Sequence, residues 1–124
     1  MTDPWTAGMA VRREVLGDAH VDRATETMTD FSKDFQEFIT RYAWGSVWTR
    51  PGLERKTRSC LTIAMLAALG HHNELALHVR AGLRVGLTPD DIREVLMQVA
   101  VYAGVPAANS AFAVAQRTID SADG

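Results

Sequence analysis

The sequence predicts an all-α fold, a compact bundle of about six helices built around a central antiparallel helix hairpin. Three observations carry that expectation. Apolar residues recur at helical spacing, caps and glycines punctuate the chain at helix-length intervals, and no stretch alternates polar and apolar residues with period two.

Taken in order, Asp3-Pro4 reads as an N-cap with proline in the first turn, opening a short helix to about Val15 that Gly17 ends. A polar connector follows. Phe31, Phe35, Phe38, Ile39 and Tyr42 then fall at i, i+4, i+7, i+8 and i+11, the apolar stripe of one long helix from about Thr29 to Trp48. Arg50-Pro51-Gly52 is a turn. A third helix from about Leu53 starts charged, but its second half, Leu61 to Leu69, is apolar all round apart from Thr62. Such a segment is expected to be buried on every side, by neighbouring subunits as well as by its own chain. Gly70 stops it, His71-His72 is the connector and Asn73 the expected cap of a fourth helix to about Val85, so the third and fourth helices form the hairpin. Thr88-Pro89-Asp90-Asp91 opens a fifth helix to Tyr102 or Ala103, and Val105-Pro106 a last, Ala-rich one to about Ile119.

The 124 residues suit a single domain, 1–124, and the 47% hydrophobic content suits a globular core. A net charge of −2 gives no footprint for nucleic acid or an anionic membrane surface. The eleven Arg against two Lys fit either surface ion pairs or an anionic small ligand, because the guanidinium fork matches carboxylates and phosphates. Cys60 is the only cysteine, so no disulfide framework or Cys-x-x-Cys pair exists. With no stretch resembling a signal peptide or a membrane span, the expected compartment is the cytoplasm.

Chemistry concentrates at His71, Glu74 and His78. The i, i+4 spacing sets Glu74 beside His78, with His71 one turn earlier at the hairpin tip. A carboxylate one turn from an imidazole fixes its orientation and tautomer, which is how a general acid is held. Plainer readings compete. Glu74 complements the helix dipole, His71 and His72 are solvated loop residues, and His78 is an ordinary hydrogen-bonded histidine. A metal site is disfavoured because one helix face seldom completes a ligand set and the paired Glu-x-x-His motifs of di-metal bundles are absent. Cys60 reads as structural.

Five segments carry a family resemblance: Gly8 to Arg13, Trp44 to Leu53, Arg55 to Ser59, Glu74 to Ala81 and Gln98 to Ala108. Together they resemble the 4-carboxymuconolactone decarboxylases of the AhpD-like superfamily, along nearly the whole chain. Peroxidase-linked members of that superfamily carry Cys-x-x-Cys-x-x-x-His where His71, Glu74 and His78 stand, so both cysteines are replaced here. The resemblance implies a homohexamer and a cofactor-free carboxy-lyase acting on a small lactone dicarboxylate in aromatic catabolism (the β-ketoadipate pathway). In that reading His78 and Glu74 are the catalytic pair. Arg58 and Arg80, with Arg50 behind them, are the carboxylate anchors, and His71, where the family commonly has Arg, is a further substrate-binding candidate. The competing functions are a redox or peroxide-handling protein of the same fold and a non-catalytic oligomer that binds a small acid.

Overall fold

A computed structural model describes residues 3–122, which form seven α-helices and one π-helical segment, with no strand among them. The chain divides into two compact units, Met1–Glu54 and Arg55–Gly124.

In the first unit, α1 (Pro4–Leu16) is capped by Asp3, whose Oδ2 accepts from the Thr6 amide at 3.3 Å, and Gly17 ends it at φ +89°. Residues 18–26, expected as a polar connector, form a helix instead, α2 (Asp18–Glu26). Only Val21 of this helix is buried, so it has none of the repeating apolar stripe by which a sequence announces a helix. Arg13 anchors it to α1 through Asp18 at 3.0 Å and Asp22 at 2.9 Å.

The long helix expected over 29–48 is also corrected. Thr29 and Ser32 satisfy each other's backbone amides through their hydroxyls, at 3.0 and 3.3 Å, and hold the chain in a turn. Then come α3 (Lys33–Ile39) and a π-helical segment, Thr40–Val47. The widened segment meets α1 backbone to backbone. A Cβ on Gly8 would lie 2.1 Å from the Thr40 carbonyl oxygen, and one on Gly45 would lie 2.2 Å from that of Pro4. Only glycine fits at such a crossing. The stripe does not face a core: Phe31 is 98% exposed, and Phe35, Phe38 and Tyr42 are exposed as well, with Phe38 stacked on Tyr42. Trp44 is the buried aromatic, stacked on Trp48.

The second unit contains α4 (Arg55–Leu69), α5 (His72–Arg84), α6 (Pro89–Tyr102) and α7 (Val105–Ala122). The hairpin between α4 and α5 is present. Gly70 turns the chain at φ +75°, and its amide and that of His71 donate to the Ala67 and Leu66 carbonyls, closing the end of α4. His71, rather than the expected Asn73, is the N-cap residue of α5. Ile63, Leu75, Val79, Ile92, Leu96 and Ala111 form an aliphatic core shared by all four helices. Within the chain α4 is buried on one side only. Ile63 and Ala67 face inward, while Leu61, Met65 and Leu69, one turn apart, lie outward at 43, 59 and 69% exposure. Met97, Val101, Tyr102 and Val105 are exposed apolar residues of the same unit.

Candidate active site on the α4–α5 hairpin

The first turn of α5 begins at the hairpin tip, so its free amides and the positive end of its dipole sit where His71, His72 and Glu74 are. His71, His72 and Glu74 are exposed. One turn on, His78 is half-buried, with its Nδ1 shielded from solvent. The helix therefore passes from a solvated carboxylate to a half-buried imidazole within four residues, an arrangement suited to carrying a proton from water into a sheltered place.

The buried residues of α5 are Leu75, Val79, Ala81 and Gly82. Arg80 is exposed and lies about 200° around the helix from His78, so the hairpin does not bring these two together. Arg58 is half-buried on α4, and its Nε is shielded from solvent. Its level follows from two contacts: Gly82 packs against Ile63, and Gly86 against Lys56. Arg58 thus lies opposite the C-terminal end of α5, about 9–14 Å further along the axis than His78. Arg50 belongs to the first unit, exposed in the turn that follows the π-helical segment, and its amide donates to the Val47 carbonyl.

Cys60 is half-buried on α4, and burial, with the charge of Asp91 adding to it, pushes its thiol up from the ordinary value. A thiol held in its protonated form is a poor nucleophile, in keeping with a structural role. Beside it Ser59 is fully buried, and its Oγ has no hydrogen-bond partner. Among the described residues no three His, Cys, Asp or Glu side chains gather where they could hold a metal ion. No described helix is long and apolar enough to cross a membrane.

One charged residue escaped the sequence reading. Arg12 is only 6% exposed in the first unit and lines a cavity of about 310 Å³. Its signal was present, because Gly8, Val11, Arg12 and Val15 share the inward face of α1 at i, i+3, i+4 and i+7. An arginine inside an apolar stripe marks a buried charge.

Residues 33–117 match the model of the carboxymuconolactone decarboxylase family. A 4-carboxymuconolactone decarboxylase of Acinetobacter baylyi is 51% identical over 109 residues, spanning 88% of this chain and 81% of that protein. A nitrosuccinic acid decarboxylase of Metarhizium robertsii is 43% identical over 113 residues, spanning 91% of this chain and 79% of that protein. A 4-carboxymuconolactone decarboxylase of Pseudomonas putida is 63% identical over 41 residues, 33% of this chain and 85% of that protein. With more than half of its length matched by the family model and most of it by the first two of these relatives, the chain belongs to the carboxymuconolactone decarboxylase family.

Proposed function

We propose that this protein decarboxylates 4-carboxymuconolactone to 3-oxoadipate enol-lactone by acid–base chemistry, in the protocatechuate branch of aromatic degradation. The observation that carries the reading is 51% identity over 88% of the chain to a relative of that name. The chemistry is compatible with a site built from side chains alone. When the bond to the departing carboxylate breaks, its electron pair spreads through the ring double bond onto the lactone carbonyl, and CO₂ leaves. The ring carbon beside the carbonyl then takes a proton. The protein's tasks are to anchor two carboxylates, stabilise the oxyanion and supply that proton.

His78 is the proposed proton donor, with Glu74 the group that orients it. Arg58 is the leading carboxylate anchor, with Arg50 and His71 behind it. Arg80, on the opposite side of α5, serves a neighbouring subunit's site or a salt bridge. The proposed assembly is a homohexamer. The outward row Leu61, Met65 and Leu69 supports this, since a large exposed apolar patch usually marks an interface. The cytoplasm, where a lone cysteine stays reduced, is the proposed compartment.

An ultraviolet assay of lactone loss, run with a chelator present, tests the reading. His78→Gln is expected to lower kcat at least about a hundred-fold, the scale of one positioned general acid, with the oligomer intact. A variant that keeps most of the wild-type kcat makes the imidazole structural and removes the mechanism. Arg58→Leu is expected to lower kcat/KM about ten- to a hundred-fold, for the loss of one charge-assisted hydrogen bond.

The relative named for nitrosuccinic acid favours a second substrate within the same class. Nitrosuccinate is also a dicarboxylate that carries its own electron sink, here the nitro group. Side-by-side turnover of the two acids decides between them.

A further inference from the structure

We propose that the cavity beside Arg12 binds a small organic carboxylate with a flat, apolar body. The first unit builds this cavity from its own residues, so the proposal does not depend on the decarboxylation reading.

Arg12 is buried among neutral partners. Nη1 donates to Thr40 Oγ1 at 3.2 Å and Nη2 to Gln36 Oε1 at 3.1 Å. The Thr40 hydroxyl gives its own proton to the Gln36 carbonyl at 2.8 Å, so it faces Arg12 as a pure acceptor. Nε is buried with no partner. Among the described residues no carboxylate hydrogen-bonds to this guanidinium or offsets its charge. Its charged neighbour is Arg13, which is of the same sign and is already paired with Asp18 and Asp22. A buried charge without a counter-charge is costly and is normally paired or relieved. Here it borders an open space, and that space is where a counter-ion would sit.

The walls indicate what kind of anion fits. Trp5, Met9 and Met28 supply apolar and aromatic surface, Lys33 and the ion-paired Arg13 add cations, and Glu37, the one carboxylate in the lining, is paired with Arg41. About 310 Å³ lies at the lower end of small-molecule sites. A bare phosphate would satisfy the charge but leave the apolar walls unfilled. A carboxylate on a flat ring or unsaturated chain satisfies both.

Isothermal titration with benzoate tests this, with benzamide as the uncharged isostere and inorganic phosphate as the bare anion. Benzoate is expected to bind, with benzamide and phosphate at least about ten-fold weaker. Arg12→Met removes the charge and should weaken benzoate at least about ten-fold. Because that variant also disturbs packing, Gln36→Glu is the sharper test. It sets a carboxylate where the Arg12 Nη2 bond already is, so it should raise the melting temperature while weakening benzoate by a similar factor. Absence of benzoate binding to the wild type, equal binding of benzamide, or unchanged binding in Gln36→Glu would overturn the proposal. With binding established, lactone kinetics of Gln36→Glu identify the source of the carboxylate. A raised KM makes it the substrate's own group, and an unchanged KM makes it a separate metabolite.

Discussion

The second unit buries Ile63, Leu75, Val79, Ile92 and Leu96, leaves its carboxylates in water, and closes α6 with a complete capping box. The first unit likewise leaves its described carboxylates in water, but it differs in what else it shelters and exposes. It buries the guanidinium of Arg12 and the hydroxyl of Thr40, and holds Phe31, Phe35, Phe38 and Tyr42 in solvent. Burial of aliphatic surface stabilises a unit from within. An exposed aromatic row and a sheltered, uncompensated charge point outward instead, to surfaces and ligands beyond the chain. Each unit has buried aliphatic residues, Val11, Val15 and Val21 in the first, and each has an outward apolar row, Leu61, Met65 and Leu69 in the second; what sets the first unit apart is its sheltered charge.

The largest expected losses of stability test whether the units are also distinct in their unfolding. Leu96→Ala opens a cavity in the middle of the aliphatic core and should cost about 2–5 kcal/mol in urea unfolding. Gly45→Ala should cost about 3 kcal/mol, the upper range for overpacking, because the new methyl meets the Pro4 carbonyl oxygen rather than a side chain that can swing away. Amide exchange should then show faster opening in residues 4–47 for Gly45→Ala and in residues 55–122 for Leu96→Ala. If either substitution loosens both units equally, they unfold as one cooperative body, and the contrast is one of composition only.

A smaller effect on folding, but a large one on assembly, is expected at the two exposed apolar rows. Phe38→Glu in the first unit and Met65→Glu in the second should each leave secondary structure unchanged and alter the stability of the isolated chain by less than about 0.5 kcal/mol. Sedimentation velocity should show each variant dissociating at concentrations where the wild type stays assembled. A wild type sedimenting at 13.6 kDa at micromolar concentration would remove the proposed oligomer.

The same contrast explains what could be read from the sequence. In the second unit cap, stripe and stop agree, so α5 and α6 are legible to within a residue or two from Gly70, Thr88-Pro89 and Gly104. In the first unit those signals conflict. Helix α2 has one buried residue and is held by Arg13 across the break at Gly17, a pairing that no helical spacing reveals. The spacing of Phe31 to Tyr42 is truly helical, yet it served an outward face, and periodicity alone does not say which side is inside. The glycines at 8 and 45 stand in segments that carry the family resemblance, but their reason, a backbone crossing 37 residues apart in sequence, is visible only in three dimensions. At the candidate site the one-turn separation of Glu74 and His78 follows from spacing alone. The opposite placement of Arg80 does too, whereas the level of Arg58 depends on hairpin register, which Ile63 and Gly82 reveal by contact.

The smallest effect belongs to the N-terminus of α6, where the second unit's capping box can be read through pH. Thr88 Oγ1 accepts from the Asp91 amide at 3.1 Å, and Asp91 Oδ2 accepts from the Thr88 amide at 2.9 Å. Thr88→Ala should cost about 1 kcal/mol. The hydrogen bonds from Thr88, with the charge of Lys56 adding to them, hold the Asp91 carboxyl below its ordinary value. A depressed folded-state pKa contributes stability that is present above the unfolded value, near 4, and is lost as pH falls through the folded one. Asp91→Asn should therefore melt lower than the wild type at pH 7, and the difference should shrink as the pH is taken below the ordinary carboxylate range. Because the Asp91 charge also helps hold the Cys60 thiol up, the same variant should alkylate faster with iodoacetamide at pH 8. A melting difference that persists unchanged in acid would mean that Asp91 acts through packing rather than charge. An unchanged alkylation rate would mean that burial alone governs the thiol.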